Sequence, residues 1–397
     1  MKLNKKDKQL VELLQDLVRI PSYIPDNREE SVKQNENVLV DYLEDWFKKN
    51  TDFKTERQEL EYGRYNLIAK KGKPDLVFLA HTDTVSPSAD APYDQLAAEI
   101  HDNKIWGRGA ADMKSGIATM IQALSTVDVN NVWMFLYADE EYDFLGMKGL
   151  VKKYSEIRPK LLVSSDGSDL TFGHGCRGLV EFRGRFYGKV GHPALGNGTN
   201  AIELGSEILA KLRKYVLKHD HKIMGGSAFN VAHVIGGANL PESIVRGRLN
   251  KVGQAGNVIA DVFEFVVDIR PATPDLTPGK IVKFIKKEAA KNKLKFEIVE
   301  QTHDYGAWYT DLKDLKKYVQ IANDSLGRES KVGDPGSSGY IDMQMFWDKI
   351  GRPPAFLFGG GKGSTMHGPD EHIDIANLIK EKDFFVNLLQ EWSKNEN

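Results

Sequence analysis

Three short apolar runs break off into acids or a histidine: DLVFLAHTD at 75–83, NVWMFLYADEE at 131–141 and KLLVSSDGSD at 160–169. Each has the length of a strand, and an uninterrupted apolar run suits a strand buried on both faces. Helical patterns at 114–126 and 144–154 lie between them. That alternation points to an α/β domain, a mixed, mostly parallel sheet flanked by helices. Ahead of it, Leu10, Leu13, Leu14, Leu17 and Val18 recur at helical spacing before Pro21, and 36–48 repeats the pattern.

Near residue 177 the patterning changes. Residues 178–188 and 258–269 alternate apolar and polar side chains, as half-exposed antiparallel strands do. Helical patterns at 200–218 and 279–291 accompany them, with a strand-like run at 295–302. Given one more short strand in 228–248, the order becomes β-α-β-β-α-β, the split-βαβ plan of a small α+β domain. From about 305 the first style returns, with a helix at 311–326, the run PPAFLFG at 353–359 and a closing helix at 374–393. The expected organisation is a domain in two parts, 1–176 and 305–397, interrupted by an inserted domain at 177–304.

Composition narrows the chemistry. Lys and Arg number 54 against 56 acids, so the whole chain has no basic footprint for nucleic acid or an anionic membrane. A lone Cys176 can form neither an intrachain disulfide nor a thiolate-built zinc site, so any metal ligands must be mainly His and carboxylate. The N-terminal stretch mixes charges through its apolar positions, and no run of about 18 apolar residues occurs. The expectation is a cytoplasmic protein.

The candidate residues follow the predicted strands, where open α/β sheets bind ligands. His81 and Asp83 sit two apart, on one face if the strand persists, as suits a metal-binding imidazole oriented by a carboxylate. Asp112 lies in GRGAADMKSG just before a helix, Asp139, Glu140 and Glu141 end the second run, and Asp166 ends the third. His367 follows the glycines at 359–363. His81, Asp112, Glu141, Asp166 and His367 make a set of two imidazoles and three carboxylates. Two divalent cations sharing one carboxylate would be balanced by those acids and a bridging hydroxide, and uncompensated buried charge is costly. Mixed nitrogen and oxygen ligation favours Zn, with Co or Mn as alternatives, over Mg or Ca. Glu140 is left without a ligand role and is the expected acceptor of a proton from the bridging water.

HTDTV, GRGAADMKSG, ADEE, SDGSD, GHPALGNGTNAI, VDIRP and MHGPDE, in this order, resemble the di-zinc exopeptidase and deacylase family. That family includes acetylornithine deacetylase, succinyl-diaminopimelate desuccinylase, aminoacylase, carboxypeptidase G and di- and tripeptidases. The resemblance runs from about residue 10 to 390. It implies that Asp112 bridges two metals, His81 and Asp166 completing one and Glu141 and His367 the other. It further implies that Asp83 orients His81 and that Glu140 is the general base and acid. The inserted domain would be a lid and homodimer interface. His192 would help stabilise the tetrahedral intermediate, reaching a partner's site, Arg270 would hold a substrate carboxylate, and Asn257 would lie near substrate. The implied substrate is a small molecule or short peptide with a free carboxylate, either an N-acyl amino acid or, alternatively, a peptide cleaved by a di-/tripeptidase or carboxypeptidase. A third reading is a non-catalytic ligand-binding homologue.

Two segments depart from the family. YDFLGMKG follows the two glutamates where glycines are usual, leaving Gly146 at a familiar offset, and Gly339 replaces an acid in GSSGYIDMQMF. Two rivals fail on spacing. Gly336-Ser337-Ser338-Gly339 is one residue short of a nucleophile elbow, and in GGGKGST Lys362 precedes Gly363 instead of Ser or Thr.

Overall fold

The computed structural model describes residues 3–25, 35–238 and 256–394. In chain order the elements used below begin with α1 (Lys5–Arg19), α2 (Asn37–Asn50), β1 (Lys54–Glu59), β2 (Tyr65–Lys71) and β3 (Leu76–His81). Next come α3 (Lys114–Thr126), β4 (Val132–Tyr137), α4 (Leu145–Tyr154) and β5 (Leu161–Ser164). The middle of the chain gives β6 (Leu179–Tyr187), α5 (Ala201–Val216), β7 (Ala228–Gly237), β8 (Val262–Arg270), α6 (Pro278–Lys291) and β9 (Lys295–Tyr305). Last are α7 (Leu312–Leu326), β10 (Ala355–Leu357) and α8 (Ile375–Lys394).

Two compact units result. The first comprises 1–174, 310–333 and 345–397, and the second 175–309 and 334–344. Residues 334–344, which carry the Gly339 departure, group with the second unit.

The first unit is built on a six-stranded sheet in the order β1-β2-β4-β3-β5-β10. The pairs β4–β3, β3–β5 and β5–β10 are parallel, while β1 and β2 add an antiparallel edge. The fold class is therefore the expected mixed, mostly parallel one. Every residue of β3 and β5 is buried, which is why these strands read as continuous apolar runs. α3 is buried from Lys114 to Leu124 and packs against α1 and α8. α1 starts where the Asn4 side chain accepts the Asp7 N–H at 2.9 Å, one of the donors a helix start leaves unpaired, and it ends before Pro21. Phe78 of β3 meets Phe385 of α8 edge to face at 5.8 Å, joining sheet to helix layer.

In the second unit, four antiparallel strands run in the order β7-β8-β6-β9. With α5 between β6 and β7, and α6 between β8 and β9, this is the split-βαβ plan. The predicted strand in 228–248 is β7, ten residues long with a register shift between Val231 and His233; positions 239–248 lie outside the described residues. β8 begins at Val262, so the expected strand starts four residues later than its pattern suggested. Among the described residues no helix is long and apolar enough to cross a membrane.

Candidate metal centre

The sheet register brings the candidate residues together. His81 closes β3 and pairs with Tyr137, the last residue of β4, so Asp139, Glu140 and Glu141 emerge beside the HTD segment. Leu79 pairs with Ser164 at the end of β5, two residues before Asp166, and Ser164 also pairs with Leu357 of β10. After β10 the chain passes the glycines to His367. The site thus gathers at the carboxyl ends of four parallel strands.

Asp112 sits at the centre. Its Oδ1 lies 3.1 Å from His81 Nε2, and its Oδ2 lies 3.2 Å from His367 Nε2. One carboxylate therefore presents a different oxygen to each imidazole. His367 Nε2 is also 3.0 Å from Glu141 Oε1. His81, Asp112 and Glu141 offer ligand atoms within 4.8 Å of one another. Asp166 lies close enough to feel the charges of Asp112, His81, Glu141 and His367. The structure thus gathers all five predicted ligand residues within the first unit.

The field in this cluster favours positive charge. Asp112 and Glu141 raise His367 to about 10 through their hydrogen bonds. Burial works against a charged His81, yet its bonds with Asp112 and Asp83 hold it well above the ordinary imidazole range. Burial would raise Asp112, but His367 and His81 hold it well below the usual carboxylate range. Burial, with the Asp112 carboxylate beside it, pushes Asp166 up to about 7, and burial also raises Glu141 against its bond to His367. Acids crowded this closely cannot all ionise without cations among them.

Asp83 does more than stand behind His81. The His81 Nδ1–H donates to the Asp83 main-chain carbonyl at 3.0 Å, and the Asp83 carboxylate is 3.6 Å from Nδ1. Nε2 is thereby left to face Asp112, as a ligating nitrogen must. The two Asp83 carboxylate oxygens accept the main-chain N–H groups of Glu140 and Glu141, each at 3.0 Å. Asp83 therefore fixes the acid corner as well as the histidine.

The sequence reading missed two buried arginines and their three ion pairs around this cluster. Arg108 pairs with Glu371, and Glu371 Oε1 accepts the N–H groups of Ala111 at 3.1 Å and Asp112 at 3.2 Å. The same guanidinium donates to the main-chain carbonyls of Ser86, His367 and Gly368. It binds the loops that carry Asp112 and His367 to each other. On the far side of the acid corner, Arg64 pairs with Glu36 and Asp139. A charged residue standing alone among glycines, as Arg108 does in GRGAAD, is the one signal that could have flagged any of these pairs. His372 lies in a short strand opposite Trp106, with the two rings 4.3 Å apart.

The three remaining candidates belong to the second unit. His192 is exposed, and its Nδ1 accepts the Ala194 N–H at 3.2 Å. Asn257 is exposed in a turn. Arg270 ends β8 with its fork closed on Asp268, Nε and Nη2 each 2.8 Å from a carboxylate oxygen.

The donor set, two imidazoles and three carboxylates around one shared carboxylate, fits divalent cations that accept mixed nitrogen and oxygen ligands. Such a centre at the strand ends of a mixed sheet defines a metal-dependent hydrolase. The chain belongs to peptidase family M20/M25/M40, whose profile matches residues 77–391, and it is an enzyme acting on amide bonds. The resemblance drawn from the seven motifs is borne out. The chain is 27% identical over 399 residues to an acetylornithine deacetylase of Erwinia tasmaniensis, covering 96% of each. It shares its fold with an M20 family metallo-carboxypeptidase from Sulfolobus solfataricus, with a TM-score of 0.66 at 17% identity, covering 99% of this chain and 100% of the other. A dinuclear metal-binding M20 peptidase from Bacillus subtilis superposes with a TM-score of 0.61 at 14% identity, covering 98% and 99%.

Proposed function

We propose that this enzyme hydrolyses the amide bond of a small substrate carrying a free carboxylate, in the manner of an N-acyl amino acid deacylase. The observation that carries the proposal is Asp112, whose two oxygens face His81 and His367 separately. That arrangement suits a carboxylate shared by two cations, with His81 and Asp166 serving one and Glu141 and His367 the other. Zn is the best match to the donors, with Co and Mn as substitutes. When bound, the cations supply Lewis acidity for the amide carbonyl and make a neighbouring water acidic enough to lose a proton near neutral pH.

The chain's own groups do the rest. Glu140, its main-chain N–H anchored on Asp83, takes the proton from the attacking water and returns one to the leaving amine. Asp83 keeps the proton of His81 on Nδ1, so that Nε2 is the nitrogen that would give up its proton to hold a metal. The inserted unit is proposed as a lid and as a homodimer interface. Its His192 would donate to the developing oxyanion and its Arg270 would bind the substrate carboxylate, with Asn257 nearby. Because Nε and Nη2 of Arg270 are committed to Asp268, the substrate carboxylate would meet Nη1 or compete with Asp268. The acetylornithine deacetylase relatives support the deacylase reading, and the carboxypeptidase neighbour keeps peptide cleavage as the second one.

The test is a panel of N-acetyl and N-succinyl amino acids beside dipeptides, assayed after loading with Zn, Co or Mn. Turnover on an acylated amino acid, abolished by a chelator and restored by metal, is expected. Hydrolysis that survives complete chelation would refute the metal centre, and turnover of dipeptides alone would replace the deacylase reading with the peptidase one.

A further inference from the structure

The acid corner that carries Glu140 and Glu141 departs from the glycine-rich continuation usual in its family, and the structure shows what holds it. Asp139 has a positive φ of 69°, a conformation that disfavours side chains with a Cβ, and Phe144 repeats this at 56°. Between them the turn closes on Asp139 itself: its Oδ2 accepts the N–H of Asp143 at 3.2 Å and of Leu145 at 3.1 Å, and its main-chain carbonyl accepts the Phe144 N–H at 2.8 Å. The other oxygen, Oδ1, accepts from Arg64 Nη1 at 2.6 Å.

Arg64 is itself held. Its Nε and Nη2 lie 3.0 and 2.8 Å from Glu36 Oε1, and Arg64, Glu36 and Asp139 are all buried. One guanidinium therefore spans two buried carboxylates from different parts of the chain, a geometry that a planar fork meets and a single ammonium does not. Asp139 is rigidly oriented from behind, while Asp83 grips the next two main-chain N–H groups from the front. Glu140 lies between the two anchors.

We infer that Arg64 is a positioning residue for the proposed base, setting the place of Glu140 by clamping Asp139 against Glu36. The mechanism needs none of the three to touch substrate. A burial cost for two acids and a guanidinium is not what raw stability selects, since apolar replacements often serve as well; fixing a catalytic corner is a use that matches their position. The inference rests on the reading of Glu140 as the base.

Arg64→Lys keeps the charge but loses the fork, and Arg64→Met combined with Glu36→Gln removes the pair without stranding the Glu36 charge. Three quantities are read on each folded variant: amide hydrogen exchange over 138–146 in protein without added metal, bound Zn per chain, and kcat with KM. Faster exchange over 138–146, unchanged Zn content, and a kcat lower by on the order of 10²-fold with KM moved less than about threefold are expected. Arg64→Lys should retain more turnover than the double variant. Unchanged exchange in both variants would overturn the clamp. Faster exchange with wild-type kcat, or a lowered melting temperature with wild-type kcat per folded enzyme, would show the network to be merely structural. The exchange arm needs no turnover, so it can succeed even if Glu140 is not the base; that separate failure would appear as full activity in a Glu140 variant.

Discussion

At the scale of single residues, the division of labour among three consecutive acids is the sharpest feature of the site. Asp139 turns back to Arg64, Glu141 lies 3.0 Å from His367, and Glu140 is fixed between them through its main chain. Glu140→Gln should therefore keep its metal while losing turnover by about 10²–10⁴-fold, the usual worth of a positioned general base. Metal analysis beside kcat checks this, and an active variant would reassign the base. His81, Glu141 and Asp166 were legible because each follows an apolar run, so a pattern readable by eye coincides with the sheet's binding edge, whereas Asp112 and His367 stood out beside glycines. Arg64, Glu36, Arg108 and Glu371 were not legible, because their meaning lies in partners 28 to 263 positions away. Arg270 shows the opposite error of emphasis: the motif says carboxylate binder, but spacing alone does not reveal that Asp268, two residues earlier, already occupies most of its fork.

At the scale of elements, helices were readable from periodicity and the parallel strands from their apolar runs, while β1 and β2 were not. β1 is KTERQE, a half-exposed edge strand whose polar residues carry no burial signal. The sequence marked some joints between elements without giving their reason and left others unmarked. Gly146, at the start of α4, is a marked one: a Cβ there would lie 2.3 Å from the Ala138 carbonyl, so only glycine lets α4 approach the end of β4 this closely. An unmarked one is Glu381 of α8, fully buried and accepting from Ser165 Oγ at 2.8 Å, next to Asp166 in the chain. Burial pushes Glu381 up to about 8 from an ordinary 4.5. The folded chain keeps a proton that the unfolded chain releases, so this contribution to stability is fully present below pH 4.5 and is lost as pH rises through about 8. Within that window wild type should lose up to about 1.4 kcal/mol per pH unit relative to Glu381→Gln, which cannot ionise. Denaturant melts of both proteins at several pH values measure the difference directly; parallel curves would mean that Glu381 does not titrate in this way.

At the scale of the whole molecule, the chain builds two hydrophobic cores. One joins α1, α3 and α8 to the mixed sheet; the other packs α5 and α6 on the antiparallel sheet. The order of patterns along the sequence is what suggests that one architecture interrupts another. It could not show that 334–344 groups with the second unit, because that segment carries neither periodicity clearly. All five proposed ligands belong to the first unit, so metal should act on the stability of that unit. A cation that binds only the folded state adds about 2.7 kcal/mol at roughly 100 times its Kd. For a unit of this size that corresponds to a rise of about 5–10 °C in the transition it governs. Scanning calorimetry with Zn and then with a chelator should move the transition of the first unit by this order and leave that of the second in place. If chelation moves neither, the clustered imidazoles and carboxylates do not hold a metal that stabilises the fold. If both move together as one transition, the two cores unfold as a single cooperative body, and metal bound in one stabilises both.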